Sequence, residues 1–538
     1  VIVLGSGPNR IGQGLEFDTC CVEAMLALRE EGLEAIMVNC NPETVSTDYD
    51  ISQRLYFEPV SFEEVSAILE RERPDGVIVT LGGQTPLKLA HALASAGAPM
   101  WGTRPEDIDR AEDREKFHAL CTALGLKLPD GAMATSAAQA FAAAESLGYP
   151  ILLRPSYVLG GRAMAICEDE EQLRRAVFGM MTPSGEPLYG SGRPLLLDRF
   201  LSGALELDVD LLCDGKRAVV CGIMEHIERA GVHSGDSSCL LPPLGTSPEL
   251  QERVRDAACR LALALHVRGP MNAQFAVLDD ELYVLEANPR ASRSLPFVSR
   301  ATGLPLAAMA AKIMAGRSLD ELELFESPKP RHVSVKACSF PFHKFPGSDV
   351  HLGPEMRSTG ESMGVASRFG PAFAKALAGV GQSLPDAGRV YVSAGESEWM
   401  ALLPVAKRLS DLRFLLVADA RTAARLEERG LRVDELAEGP NFHHELLRRL
   451  NGGELQMILV APGGVRNREA DSALRRQCMV RGVPFLPTVE AGMAAAVAIF
   501  EMSHRTEDVR CLQELYQPAE PEREAEAVRE QLAMRHSA

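Results

Sequence analysis

Short apolar runs alternate with amphipathic segments at both ends of this chain, and that pattern leaves few folds open. Between residues 1 and 108 the runs IVLG, EAIMVNC and GVIVTLGG are separated and followed by EAMLALREEG, SFEEVSAILERERPDG and HALASAGAP, which carry helical spacing. Strand and helix in turn predict a parallel, doubly wound α/β domain. A second α/β unit is predicted over 386–510, from GRVYVSAG through RFLLVADA and QMILVAPGG to VPFLPTVEAGMAAAVAIF. Between them, residues 109–316 hold the strand-like runs YPILLRPS, PLLLDRFL, LELDVDLLCDG, AVVCGIMEHI, NAQFAVLDD and LYVLEANPR, with helices such as SPELQERVRDAACRLALAL, a mixture that predicts an α+β domain. Residues 317–385, rich in Pro, Gly and single charges, read as an ordered connecting segment. Residues 511–538 read as a charged helical tail.

The totals narrow the function classes. A formal charge of −18 and the lack of any Lys/Arg run of five argue against nucleic-acid binding. The twelve cysteines include no C-x-x-C and read as small buried residues in a reducing cytoplasm. The longest apolar stretch, AGMAAAVAIF, is too short to span a bilayer, and the N-terminus lacks a basic region followed by a cleavage site, so a cytoplasmic chain with no membrane contact is expected. Because it starts at Val1, inside an apolar run and without Met, it reads as part of a larger polypeptide.

The opening VIVLGSGPNRIGQG invites comparison with a dinucleotide fingerprint. Gly5 and Gly7 fit G-x-G-x-x-G, but Arg10 stands in place of the third glycine, and the next strand ends in Asn39 and Cys40, without a carboxylate for a ribose. Gly215-Lys216 is followed by Arg217, so a P-loop is also absent.

The chemistry concentrates in NAQFAVLDDELYVLEANPR, 272 to 290, where two alternating runs flank the acidic turn Asp279-Asp280-Glu281. A hairpin centred on residue 280 places Gln274 opposite Glu286, and Glu286 and Asn288 share a face. A carboxylate with two amide oxygens suits Mg²⁺ or Mn²⁺ completed by phosphates and water; a merely polar, solvated face is the alternative. Arg290 and Arg293 beside it suit an anion or phosphoryl group. Upstream, Arg154 and the Gly160-Gly161 turn can approach phosphate oxygens. His233, in ERAGVHSGDSSC, is either a ligand contact or a loop histidine.

Together with GSGPNRIGQGLEFDTCC, VNCNPETVSTDYD, GGQTPLKLA, IDRAEDREKF, RPSYVLGGRAM, MEHIERAGVHSGDSSC, EANPRASRSLPFVS and KFPGSDVHLGPEMRSTGE, these residues resemble the carbamoyl phosphate synthetase large-subunit family of ATP-grasp enzymes over nearly the whole chain. The forms PNRIGQG, NPETVSTD, SYVLGGRAM and EHIERAGVHSG are similar to the second of that family's two synthetase halves, followed by its regulatory domain. The resemblance implies a multidomain α/β and α+β fold: a pre-ATP-grasp domain, an ATP-grasp domain, the connecting segment and a methylglyoxal-synthase-like domain. It implies phosphorylation of carbamate by ATP, with Mg²⁺ or Mn²⁺, in a glutamine-dependent synthetase feeding arginine and pyrimidine biosynthesis. The implied partners are the first synthetase half and a glutaminase subunit. Another ATP-grasp carboxylate ligase, or a non-catalytic ATP-binding scaffold, are the alternatives.

Carried over by position, Arg114, Arg154, Gly160 and Gly161 are expected at ATP phosphates. Leu201, Glu206, Gly231, Val232, His233 and Ser234 are expected around adenine and ribose, with Arg199 standing where the family commonly has His. Gln274, Glu286 and Asn288 are the expected metal ligands, and Asn288, Arg290 and Arg293 the catalytic set. In the last domain the family holds phosphate effectors on a Thr/Gly-rich loop with a lysine nearby. Here Thr422 is kept, but Asp419 and Arg421 replace small or hydroxyl residues, and Glu435 lies in the lysine-equivalent stretch, which puts control by nucleotides such as UMP or IMP in doubt.

Overall fold

A computed structural model describes residues 1–9, 14–155, 163–180, 194–340, 342, 350–436, 442–465, 468–504 and 509–516. The N-terminal alternation forms a parallel five-stranded sheet in the spatial order Arg54–Tyr56, Ile36–Val38, Ile2–Leu4, Val77–Ile78, Met100–Trp101. The strand Ile2–Leu4 is fully buried at the sheet centre, as its unbroken apolar run requires when helices cover both faces. The helix Leu15–Glu30 buries Cys20, Cys21, Ala24 and Met25 against Ala307, Ala310 and Met314 of the helix Leu306–Met314. The adjacent cysteines therefore act as small apolar residues, and burial pushes both thiols up.

The middle of the chain builds two antiparallel sheets. A four-stranded one runs Gly131–Ala134, Leu195–Arg199, Ile151–Pro155, Ala165–Cys167. A seven-stranded one runs Glu281–Asn288, Arg268–Leu278, Leu205–Asp214, Ala218–His226, Cys239–Leu241, Val333–Ser339, Gly360–Ala366. Its last two strands come from the stretch read as a connecting segment, which thus completes the sheet. The helix Phe369–Gly379 then buries Ala372, Phe373 and Ala376 in one core with Leu402, Leu459 and Ile499 of the C-terminal unit.

That unit is a parallel five-stranded sheet, Val433–Leu436, Leu415–Asp419, Arg389–Ser393, Met457–Val460, Phe485–Leu486, with Val390, Tyr391 and Val392 buried in its central strand. Of the expected tail, Leu512–Tyr516 is helical, and Tyr516 donates to the Arg300 carbonyl while its ring covers Gly303. Residues 517–538 lie outside the described residues. No helix among the described residues is long and apolar enough to cross a membrane.

Candidate active site

The seven-stranded sheet has two chemically distinct faces, and the alternation of LELDVD creates them. Leu207, Val209 and Leu211 enter a core with Ala273, Phe275 and Val284, while Glu206, Asp208 and Asp210 share the opposite face. Register aligns Asp208 with Gln274 and Asp210 with Asn272, and then Gln274 with Glu286 and Asn272 with Asn288. The polar face floors a cavity of about 650 Å³.

Gln274, Glu286 and Asn288 are brought together as the sequence predicts, by a slightly different route. The turn consists of Asp279 and Asp280, both at positive φ (50° and 63°), with Leu278 paired to Glu281. Continued without interruption, that register would set Gln274 against Leu285. A bulge between Gln274 and Phe275 shifts it by one and restores the Gln274–Glu286 pair.

The donor set fits a hard cation. Asn288 Nδ2 donates to Glu286 Oε1 at 2.8 Å, and Gln274 Nε2 donates to Ser234 Oγ at 2.8 Å. Both amide nitrogens are thereby committed to protein, which leaves the Gln274 amide oxygen and one carboxylate for a metal, beside an Asn288 amide oxygen that also accepts from Arg290 Nη2 at 3.3 Å. No group of three or more His, Cys, Asp or Glu among the described residues is arranged to hold a metal, so a cation at this face would take its remaining ligands from a bound anion and water.

The anion side is built from arginines. Arg114, first residue of the helix Arg114–Ala123 behind the Asp113 cap, pairs with Asp198 Oδ1, and Arg154 Nη2 stands 3.1 Å from Oδ2 of the same carboxylate. Two guanidiniums on one buried carboxylate leave a surplus positive charge. Gly131 permits this, because a Cβ there would fall 2.3 Å from Asp198 Oδ1. Burial pulls the Arg114 guanidinium below its ordinary range, yet an arginine keeps its proton. Arg199 is exposed at the cavity wall, held by its backbone N–H to the Asp130 carbonyl at 2.7 Å. Gly160 and Gly161 lie outside the described residues.

Leu201 packs with Ala204 and Ala276, and with the partly buried Ala230, Tyr283 and Leu285, to give the cavity an apolar end. Glu206 lines the cavity near this end. Gly231, Val232, His233 and Ser234 line it from a loop that is fixed at several points. His233 N–H donates to the Gly353 carbonyl at 2.8 Å, its Nδ1 accepts from Gly235 N–H at 3.0 Å, and burial lowers its pKa. Glu228 accepts from Ser237 Oγ at 2.8 Å, and Asp236 accepts from the Arg357 and Ser358 amides at 2.7 and 2.9 Å. The motif GPEMRST thus acts as a brace for the loop.

Arg290 and Arg293 sit in the turn after the hairpin. Arg290 donates to the Ala291 carbonyl at 2.9 Å and to Asn288 Oδ1 at 3.3 Å, and burial lowers its pKa. Arg293 Nη2 is bound to Glu16 Oε1 at 2.7 Å. The opening motif therefore reaches this cavity through Glu16, a contact between residues 277 positions apart that no local pattern announces.

Sequence reasoning also passed over His226, Asp208 and Asp210. His226 is buried, with Nε2 3.2 Å from Asp208 Oδ2 and Nδ1 3.4 Å from Glu206 Oε2. Burial opposes its charge, but the hydrogen bonding and fields of Asp208 and Glu206 prevail and raise its pKa to about 9. The strict alternation of acidic residues in LELDVD was the available signal for both aspartates.

Comparison with known proteins agrees with this architecture. The family model described as carbamoyl phosphate synthase preATP-grasp domain matches residues 1–110, carbamoyl-phosphate synthase L chain, ATP binding domain matches 113–322, and MGS-like domain matches 401–487. The carbamoyl phosphate synthase large chain of Vibrio cholerae is 50% identical over 96% of this chain and 47% of that protein, and that of Acidobacterium capsulatum is 48% identical over 96% and 48%. The chain spans about half the length of these curated relatives. Among solved structures, the biotin carboxylase domain of Hydrogenobacter thermophilus 2-oxoglutarate carboxylase, in complex with MgADP, ADP and bicarbonate, superposes with a TM-score of 0.56 at 17% identity, over 70% of this chain and 89% of that one. Biotin carboxylase from Campylobacter jejuni, in a β-γ-ATP complex, gives 0.54 at 16% identity over 70% and 91%. At these identities the likeness is one of fold.

Proposed function

The chain belongs to the carbamoyl phosphate synthase large-chain family, and from that premise we propose that it is the part of the enzyme that phosphorylates carbamate with ATP. The observation that carries this reading is a single cavity whose floor supplies Gln274, Glu286 and Asn288 and whose walls supply Arg114, Arg154, Arg290 and Arg293. In the reaction a carbamate oxygen attacks the γ-phosphorus, the bond from that phosphorus to the β-bridging oxygen breaks, and ADP leaves. No covalent enzyme intermediate is needed, because phosphoryl transfer asks chiefly for alignment and charge neutralisation.

Arg114 and Arg154 hold the phosphates with the surplus charge described above. The apolar end at Leu201 receives adenine, with Glu206 and the loop 231–234 beside the ribose. Mg²⁺ or Mn²⁺, when bound at Gln274, Glu286 and Asn288, would neutralise the phosphate oxygens. Arg290 and Arg293 orient carbamate and steady the transferring group. In a glutamine-dependent synthetase serving arginine and pyrimidine biosynthesis, carbamate would come from ammonia through a first synthetase half and a glutaminase subunit.

The test is to incubate the purified chain with MgATP and carbamate and trap carbamoyl phosphate as citrulline. Citrulline in step with ADP is the expected result. ADP release with other carboxylic acids but not with carbamate would make the chain a different ligase. ATP binding without turnover would make it a scaffold.

A further inference from the structure

The turn that carries Arg290 and Arg293 is held by a carboxylate that touches neither. Asp210, 1% exposed, accepts from Ser292 Oγ and Ser294 Oγ at 2.7 Å each and from Asn272 Nδ2 at 3.1 Å. The two hydroxyls are themselves 3.0 Å apart. Ser294 occupies the N-cap of the helix Leu295–Thr302, where a serine ordinarily accepts from the helix amides. It makes no such cap bond here, and its hydroxyl turns to Asp210 instead. A buried carboxylate is costly, and burial raises this one to about 6. At neutral pH it is mainly the ionised acceptor that three donors need.

We propose that Asp210 is a positioning residue: by fixing Ser292 and Ser294 it aims Arg290 and Arg293 at the terminal phosphoryl group, and by engaging Asn272 Nδ2 it turns that amide oxygen toward the site. The proposal rests on the reading of the cavity as an ATP site. Its signature is selective. Contacts to adenine, ribose and the inner phosphates come from Leu201, Glu206, the loop 231–234, Arg114 and Arg154, none of which is bonded to Asp210, so only recognition of the third phosphate depends on the clamp.

Calorimetric titration of the whole chain with Mg·AMPPNP and with Mg·ADP reads this directly. Asp210→Asn keeps the side-chain volume, and its expected effect is a fall of about tenfold or more in the affinity ratio of AMPPNP over ADP, with ADP affinity nearly unchanged. Ser294→Ala, which removes one clamp bond, is expected to move the ratio the same way by less, and it tests the clamp if Asp210→Asn fails to fold. An unchanged ratio in the folded variants would overturn the proposal. An equal loss of both affinities with a lowered melting temperature would also overturn it, since that is what a merely structural aspartate gives. A wild-type chain that binds neither nucleotide would break the ATP reading itself, and the positioning role with it.

Discussion

The ATP-grasp cavity and the loop cluster at the end of the C-terminal sheet use the same residue types to opposite effect. In the cavity, Arg114 and Arg154 share the single carboxylate of Asp198, and the buried Nε atoms of Arg154, Arg290 and Arg293 have no hydrogen-bond partner. At the C-terminal sheet, Arg421 Nη2 donates to the Ala394 carbonyl at 2.9 Å and lies 3.5 Å from the carbonyls of Gly463 and Gly464. Asp419 accepts from Ser393 Oγ at 2.6 Å, Thr422 N–H at 3.0 Å and Thr422 Oγ1 at 2.9 Å. What separates the two regions is commitment: Arg114 and Arg154 share one carboxylate between two guanidiniums and so keep charge for an anion, whereas Arg421 spends Nη2 on backbone carbonyls of the fold.

The largest test of this contrast is Glu286→Ala. It removes the only carboxylate of the trio proposed to hold the metal while leaving the apolar face of the sheet untouched, so the fold is expected to survive and ATP turnover to fall by about 10²-fold or more. Metal-dependent ADP release at the wild-type rate would refute the assignment of the trio.

A second test uses the charge buried in the first region. His226 titrates near 9 in the folded chain, above its unfolded value, so the stabilisation from Asp208 and Glu206 is complete below pH about 6.5 and is lost as the pH rises through 9. The stability gap between wild type and His226→Asn is expected to reach on the order of 3 kcal/mol at the low end and to close at the high end. Denaturant unfolding across that range measures it, and a gap independent of pH would mean that His226 is neutral.

The two regions also differ in how far the sequence disclosed them. The alternation of strands with helices specified both parallel sheets, and the alternation of apolar with polar residues specified the hairpin, because burial of one face of a strand fixes the register of every residue on it. The trio of Gln274, Glu286 and Asn288 was legible for that reason, even though a bulge does part of the work. The Arg293–Glu16 pair, the two arginines on Asp198 and the Ser292–Asp210–Ser294 clamp were not legible, since each joins segments distant in sequence whose meeting depends on packing. The Thr422 hydroxyl, retained at a position the family resemblance links to phosphate, is turned onto Asp419.

The smallest expected effect is the most pointed test of the comparison. If commitment of donors decides recognition, a phosphate at the C-terminal loops must first displace Arg421 from the Ala394 carbonyl, and it would then face the carboxylate of Asp419, 8% exposed and aimed at the same turn. Glu435, exposed on the neighbouring strand, adds a further negative charge. Titrating the whole chain with UMP and with IMP is therefore expected to give no saturable heat attributable to these loops, and Arg421→Ala should leave ATP kinetics unchanged. To keep the ATP cavity from masking the outcome, the titration is repeated with that cavity filled by Mg·AMPPNP. Saturable binding that persists there, and that Arg421→Ala abolishes, would show that Arg421 remains available to anions, and the distinction between open and spent arginines would fail in the region where it is most sharply drawn.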